Sequence, residues 1–154
     1  MRDPVAWWRR SRAARPKAYA VEFPHDATED EQRDQVRELL RLLRSHGSEF
    51  QTDMPAFAEA PPAVADARAI LRSLKGTKAK SEDYATTNLV DSADDRLWES
   101  FVQVAPYAFS AEFWQGSRYL VSLADESQSV IVYLAPDSDI HSAVADQFDL
   151  RLLD

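Results

Sequence analysis

The sequence predicts an α+β domain: three to four amphipathic helices packed on an antiparallel sheet that ends in a C-terminal β-meander. Three observations carry that prediction. Residues 28–46 place Val36, Leu39, Leu40 and Leu43 at the i, i+3, i+4, i+7 spacing of a helix with one buried stripe. Residues 109–114, 118–124 and 129–135 instead alternate apolar with polar side chains, with only short turn-like segments between them. The chain has 154 residues, 45% of them hydrophobic and none of them cysteine, so one core can form without a disulfide or metal staple.

Taken in order, residues 1–16 form a basic leader containing Trp7, Trp8, Arg9, Arg10 and Arg12. Asp3 before Pro4 has the form of an N-cap and first helical turn, and Pro16 closes a helix expected over about residues 4–14. Residues 17–23 alternate Tyr19, Val21 and Phe23 with Ala18, Ala20 and Glu22, the period of a strand. The helix over 28–46 opens with a capping box, Thr28 with Glu31, and with an acidic first turn that suits its positive dipole end. Gly47 stands where a C-terminal cap belongs. A short strand around Phe50 leads into an Ala/Pro-rich connection over 53–61.

A second helix over 62–75 buries Val64, Ala67, Leu71 and Leu74 and stops at Gly76. Residues 76–83 read as a loop and 84–90 as a strand. Ser92 with Asp95 opens a third helix through Leu97, Trp98, Phe101, Val102 and Ala105, which Pro106 ends. In the meander, pairing Leu123 with Val130 puts Tyr119, Val121, Leu123, Val130, Val132 and Leu134 on one face. A three-residue loop with left-handed Gly116 then adds Phe109, Ala111 and Phe113 to that face, and core burial favours it over a two-residue Gln-Gly turn. The opposite face shows Glu112, Trp114, Leu120, Ile131 and Tyr133, too apolar for a purely solvated surface. Residues 137–147 suggest a fourth helix, and Leu150 and Leu152 an edge strand. The organisation is therefore a leader, 1–16, and a single α+β domain, 17–154.

Charge is unevenly spread. The formal net charge is −8, yet the first twenty residues carry +5, which leaves −13 for the remainder. An acidic body repels nucleic acid and anionic lipid and suits a basic protein partner. The leader has the opposite preference, and its Trp7, Trp8, Arg9, Arg10 and Arg12 are candidates for weak membrane-surface or anion contact. No apolar run approaches the roughly 20 residues of a membrane-spanning helix. The leader also lacks the apolar stretch of a secretory signal, so a cytoplasmic protein is expected.

Catalytic motifs are absent. His25, His46 and His141 occur singly, without metal-ligand spacing, and the three glycines are too few for a phosphate-cradling loop. Paired carboxylates such as Asp94-Asp95 and Asp137 with Asp139 sit where caps and turns use them. The expectation is a non-enzymatic, cofactor-free and metal-free binding or regulatory domain, by analogy an immunity- or antitoxin-like inhibitor of a basic protein. Its expected contact residues are Glu112, Trp114 and Tyr133, with Asp125 and Glu126 at a nearby hairpin tip. Two alternatives stand beside it: a small-molecule-binding or enzymatic domain whose site assembles only in the fold, and a peripheral membrane protein attached through the leader.

Overall fold

A computed structural model describes residues 15–56 and 59–153. In chain order these form β1 (Lys17–Glu22), α1 (Glu29–Leu43), β2 (Glu49–Pro55), α2 (Pro62–Arg72), β3 (Lys78–Ser81), β4 (Tyr84–Thr86) and β5 (Val90–Asp91). They continue as α3 (Asp95–Val104), β6 (Ser110–Gln115), β7 (Arg118–Ala124), β8 (Ser129–Leu134), α4 (Asp139–Ala145) and β9 (Asp149–Leu152). The fold is α+β, with four helices among the described residues and an antiparallel sheet ordered β3-β4-β2-β6-β7-β8-β1-β9, and β5 beside β2. The helix expected over residues 4–14, and with it Trp7, Trp8, Arg9, Arg10 and Arg12, lies outside the described residues.

Local signals place the helices. Thr28 caps α1, its Oγ1 accepting the Glu31 amide at 3.1 Å, and Val36, Leu39, Leu40 and Leu43 are all buried. A single 3-10 turn, Arg44–His46, extends α1. The third helix is capped by Asp94, whose carboxylate accepts the Leu97 amide at 2.9 Å, rather than by the expected Ser92. Ser92 is buried, and its carbonyl accepts instead from the Arg44 guanidinium. That guanidinium also reaches Asp95 at 2.6 Å and lies 5.7 Å from the Trp98 ring centre, tying the end of α1 to the start of α3.

An aromatic cluster joins helix to sheet. Phe50 of β2 stacks on Phe101 of α3 with ring centres 4.3 Å apart, and Trp98 meets Phe113 of β6 at 4.7 Å. All four rings are buried. Gly47 is the expected C-terminal cap, its amide donating to the Arg44 carbonyl at the end of the 3-10 turn, and it also serves this cluster. Its φ of −120° is one that any residue adopts, but a Cβ there would fall 2.3 Å from the tip of the Phe113 ring. The glycine is required by close packing.

Several boundaries differ from expectation. The strand at Phe50 runs on to Pro55, because Phe50, Thr52 and Met54 continue the alternation into what composition marks as a connection. Residues 78–81 are not loop but an exposed edge strand paired with β4, and the strand expected over 84–90 divides into β4 and β5. The second helix ends at Arg72, with Gly76 just beyond at φ +90°, and the fourth is the shorter α4 capped by Ser138. The expected edge strand is β9, paired with β1.

In the meander, Leu123 pairs with Val130 and Val121 with Val132, as the alternation requires. The β6–β7 loop has two residues, Gly116 and Ser117, since Gln115 pairs with Arg118. Register is then corrected by a bulge: Trp114 pairs with Tyr119 but Phe113 with Val121, so Leu120 is the extra residue. Ala111 and Phe113 therefore join the buried face by a different route from the three-residue loop. Leu120 turns inward and is buried, whereas Tyr119 turns outward and is 41% exposed, the reverse of the expected assignment for both. Phe109 precedes the strand and remains exposed.

The two glycine roles can be separated by mutation. Gly47→Ala should lower stability by about 1–3 kcal/mol through overpacking against Phe113. The companion Gly47→Ala/Phe113→Leu should recover part of that loss. Urea unfolding midpoints test this, and a Gly47→Ala protein as stable as wild type would refute the packing role.

Candidate functional site

The described helices leave one face of the sheet open. On the covered face Tyr19, Val21, Phe50, Phe113, Val121, Leu123, Val130, Val132 and Leu134 are buried. Their strand neighbours on the other face, Ala18, Ala20, Gln51, Glu112, Trp114, Ser122, Ile131 and Tyr133, are all half-buried. The difference follows from strand geometry, because successive side chains leave a sheet on opposite sides. Trp114, Glu112, Ile131 and Tyr133 thus lie on the face expected of them.

Three rings form a ladder across that face. Trp114 lies 4.1 Å from Tyr119 between ring centres, and Tyr119 lies 5.8 Å from Tyr133. The ladder crosses β6, β7 and β8 at one end of the sheet. Carboxylates flank it: Glu49 is directly opposite Trp114 in register, Asp91 is opposite Glu49 on β5, and Glu112 precedes Trp114 on the same side of β6. Two carboxylates paired across strands, as Glu49 and Asp91 are, disfavour one another and favour a cation between them. Among the described residues the buried Trp114 indole N–H has no hydrogen-bond partner, which leaves a desolvated donor in the ladder.

Asp125 and Glu126 lie elsewhere. They occupy the β7–β8 turn, at the opposite end of β7 from the Trp114–Tyr119 pair, so they do not adjoin the ladder. Asp125, Glu126 and Ser127 adopt φ of 53°, 57° and 70°, three consecutive non-glycine residues in the left-handed region. Specific bonds hold them there. The Asp125 and Glu126 amides donate to the Phe109 and Ala108 carbonyls, and the buried Ser127 hydroxyl donates to the Pro106 carbonyl at 2.8 Å. Gln32 of α1 donates to the Ser127 carbonyl at 2.7 Å. This turn is fastened to the helical layer and presents its two carboxylates to solvent.

At that same end the open face runs into a cleft of about 580 Å³ lined by Glu22, His25, Gln128, Ile131 and Arg151. Its two charged groups are spent on each other, since Glu22 and Arg151 form an ion pair. His46 is exposed in the turn after α1, and His141 packs its ring 5.2 Å from Tyr19. Among the described residues no three His, Asp or Glu converge on a point that could hold a metal ion. No described helix is long and apolar enough to cross a membrane.

Asp53 is a residue whose importance sequence reasoning did not reveal. It is a buried carboxylate on β2; Oδ1 accepts the Phe109 amide at 2.9 Å and Oδ2 the Tyr84 hydroxyl at 3.1 Å. Burial pushes its carboxyl above the ordinary aspartate range, opposed by the hydrogen bonds from the Phe109 and Ser110 amides and from Tyr84. Burial likewise raises the Tyr84 phenol. The group pins β4 and the entry to β6 onto β2, and so holds Glu112 and Trp114 in place. Only the Phe50, Thr52, Met54 alternation hinted that Asp53 belongs to a strand.

No protein-family model matches this sequence, and no curated protein or solved structure shows significant similarity to it. The geometry of the site itself therefore bears the functional reading.

Two predictions follow from these contacts. The face should tolerate substitution that the core does not: Tyr119→Thr and Tyr133→Thr should each cost about 1 kcal/mol or less, against about 3–5 kcal/mol for Phe101→Ala. Equal losses in urea unfolding would mean that the ladder is a folding element. For Asp53, a raised folded-state value favours the neutral carboxyl. The resulting stability is present below the unfolded value, about 3.9, and is lost as pH rises through the folded value. Wild type should accordingly lose stability relative to Asp53→Asn between acid and neutral pH. A difference independent of pH would contradict this assignment.

Proposed function

We propose that this chain is a non-enzymatic, cytoplasmic binding domain that holds a basic segment of a protein partner on the open face of its sheet. The observation that carries the reading is the Trp114–Tyr119–Tyr133 ladder flanked by Glu49, Asp91 and Glu112 on a face that no described helix covers. Stacked rings attract a guanidinium through their quadrupoles, and adjacent carboxylates add charge-assisted hydrogen bonds. Arginine suits both contacts better than lysine, because its planar group can stack and still offer a fork of donors. The acidity of the chain after residue 20 steers such a partner from a distance. An inhibitor of a basic protein, in the manner of immunity proteins or antitoxins, is the biological role this chemistry fits.

A synthetic Arg-rich peptide, with a Glu-rich peptide as control, tests the reading by titration calorimetry. The Arg-rich peptide should bind with an affinity that falls as salt rises. Trp114→Ser, or Glu49→Lys with Glu112→Lys, should weaken it by about tenfold or more, the equivalent of losing roughly 1.4 kcal/mol. Asp125→Lys with Glu126→Lys should change it much less, because those residues lie at the other end of the sheet. Equal binding of both peptides, or indifference to Glu49 and Glu112, would overturn the proposal.

A further inference from the structure

We propose that the chain's own first sixteen residues are an intramolecular ligand of the Trp114–Tyr119–Tyr133 face, so that a basic partner binds by displacing them. This rests on the reading of that face as a site for basic segments, and it adds a mode of regulation. The position of β1 carries the inference. Lys17 pairs with Leu134 and Ala18 with Tyr133, so the chain enters the sheet beside the ladder, at the end where the three rings lie. From β1 to β6 there are three strand spacings, about 15 Å in all. Fourteen residues can span up to about 50 Å when extended, so the ladder is within reach.

Composition matches the face. Positions 1–16 carry Arg2, Arg9, Arg10, Arg12 and Arg15 against the single carboxylate of Asp3, together with Trp7 and Trp8. Arginine and tryptophan are the side chains that rings flanked by Glu49, Asp91 and Glu112 would hold. Tethering supplies the remainder: a short linker raises the effective concentration of the segment to the millimolar range. A contact too weak to persist between separate molecules can then occupy the face most of the time. A partner must compete with it, and the face is shielded until one arrives.

The test uses the full chain. The Trp114 indole N–H resonance, assigned through Trp114→Phe, is followed in wild type and in Arg9→Gln/Arg10→Gln/Arg12→Gln. A control, Lys75→Gln/Lys78→Gln/Lys80→Gln, removes the same charge from exposed positions at the other side of the sheet. The leader variant should shift the Trp114 signal and bind the Arg-rich peptide about tenfold tighter than wild type, while the control does neither. An unmoved Trp114 signal with equal peptide affinities overturns the intramolecular ligand and leaves the binding face standing. A peptide that binds none of the proteins, with Trp114 unmoved, overturns both. A Trp114 shift that grows with protein concentration also overturns the intramolecular form, because it assigns the contact to a second copy.

Discussion

The extra residue at Leu120 sets the relation between core and surface in this domain. With Gln115 paired to Arg118, uninterrupted pairing would carry Phe113 opposite Leu120 and set one strand's buried side chains against the other's exposed ones. The bulge absorbs one residue of β7, so Phe113 faces Val121 and both enter the core. It also lets Tyr119, already opposite Trp114, face outward with Trp114 and Tyr133 while Val121 faces inward. A single backbone irregularity thus completes the aromatic core and builds the outer ladder, which is why the two cannot be varied independently.

On the covered side Trp98, Phe50 and Gly47 converge on Phe113. Gly47 gives up a side chain so that the Phe113 ring can approach the α1–β2 connection. Trp98 and Phe101 bring α3 down onto β2 and β6, and Arg44 holds α3 to α1 through the Ser92 and Ala93 carbonyls. Asp53 does comparable work at the other end of β2, at the cost of burying a carboxylate. Its hydrogen bonds make that burial tolerable and fix the start of β6, whose next residues include Glu112 and Trp114. The open face is positioned by the helical layer behind it.

The chemistry of that face is additive in kind. Rings alone would serve a hydrophobic contact, and carboxylates alone would be a solvated acidic rim. Their interleaving on adjacent strands, with Glu49 against Trp114 and Asp91 against Glu49, selects a group both flat and positively charged. The same reasoning separates this region from the β7–β8 turn, where Asp125 and Glu126 are explained by a fastened left-handed turn at the other end of β7.

The sequence by itself determined what local interactions decide. The capping box and apolar stripe of α1, the alternation of β1 and β6 to β8, and the pairing of Leu123 with Val130 depend on residues near one another or on simple periodicity. It also identified Glu112, Trp114, Ile131 and Tyr133 as members of an outward face, since each follows from strand parity. What the tertiary structure decided required contacts between distant segments. The short strands β3 to β5 form without a strong alternation of their own, because neighbouring strands satisfy their backbone groups. Gly47 answers to a phenylalanine 66 positions later, a partner that no local pattern names. The inward turn of Leu120 and the outward turn of Tyr119 likewise come from how strands align in space, where one residue of register exchanges core for surface.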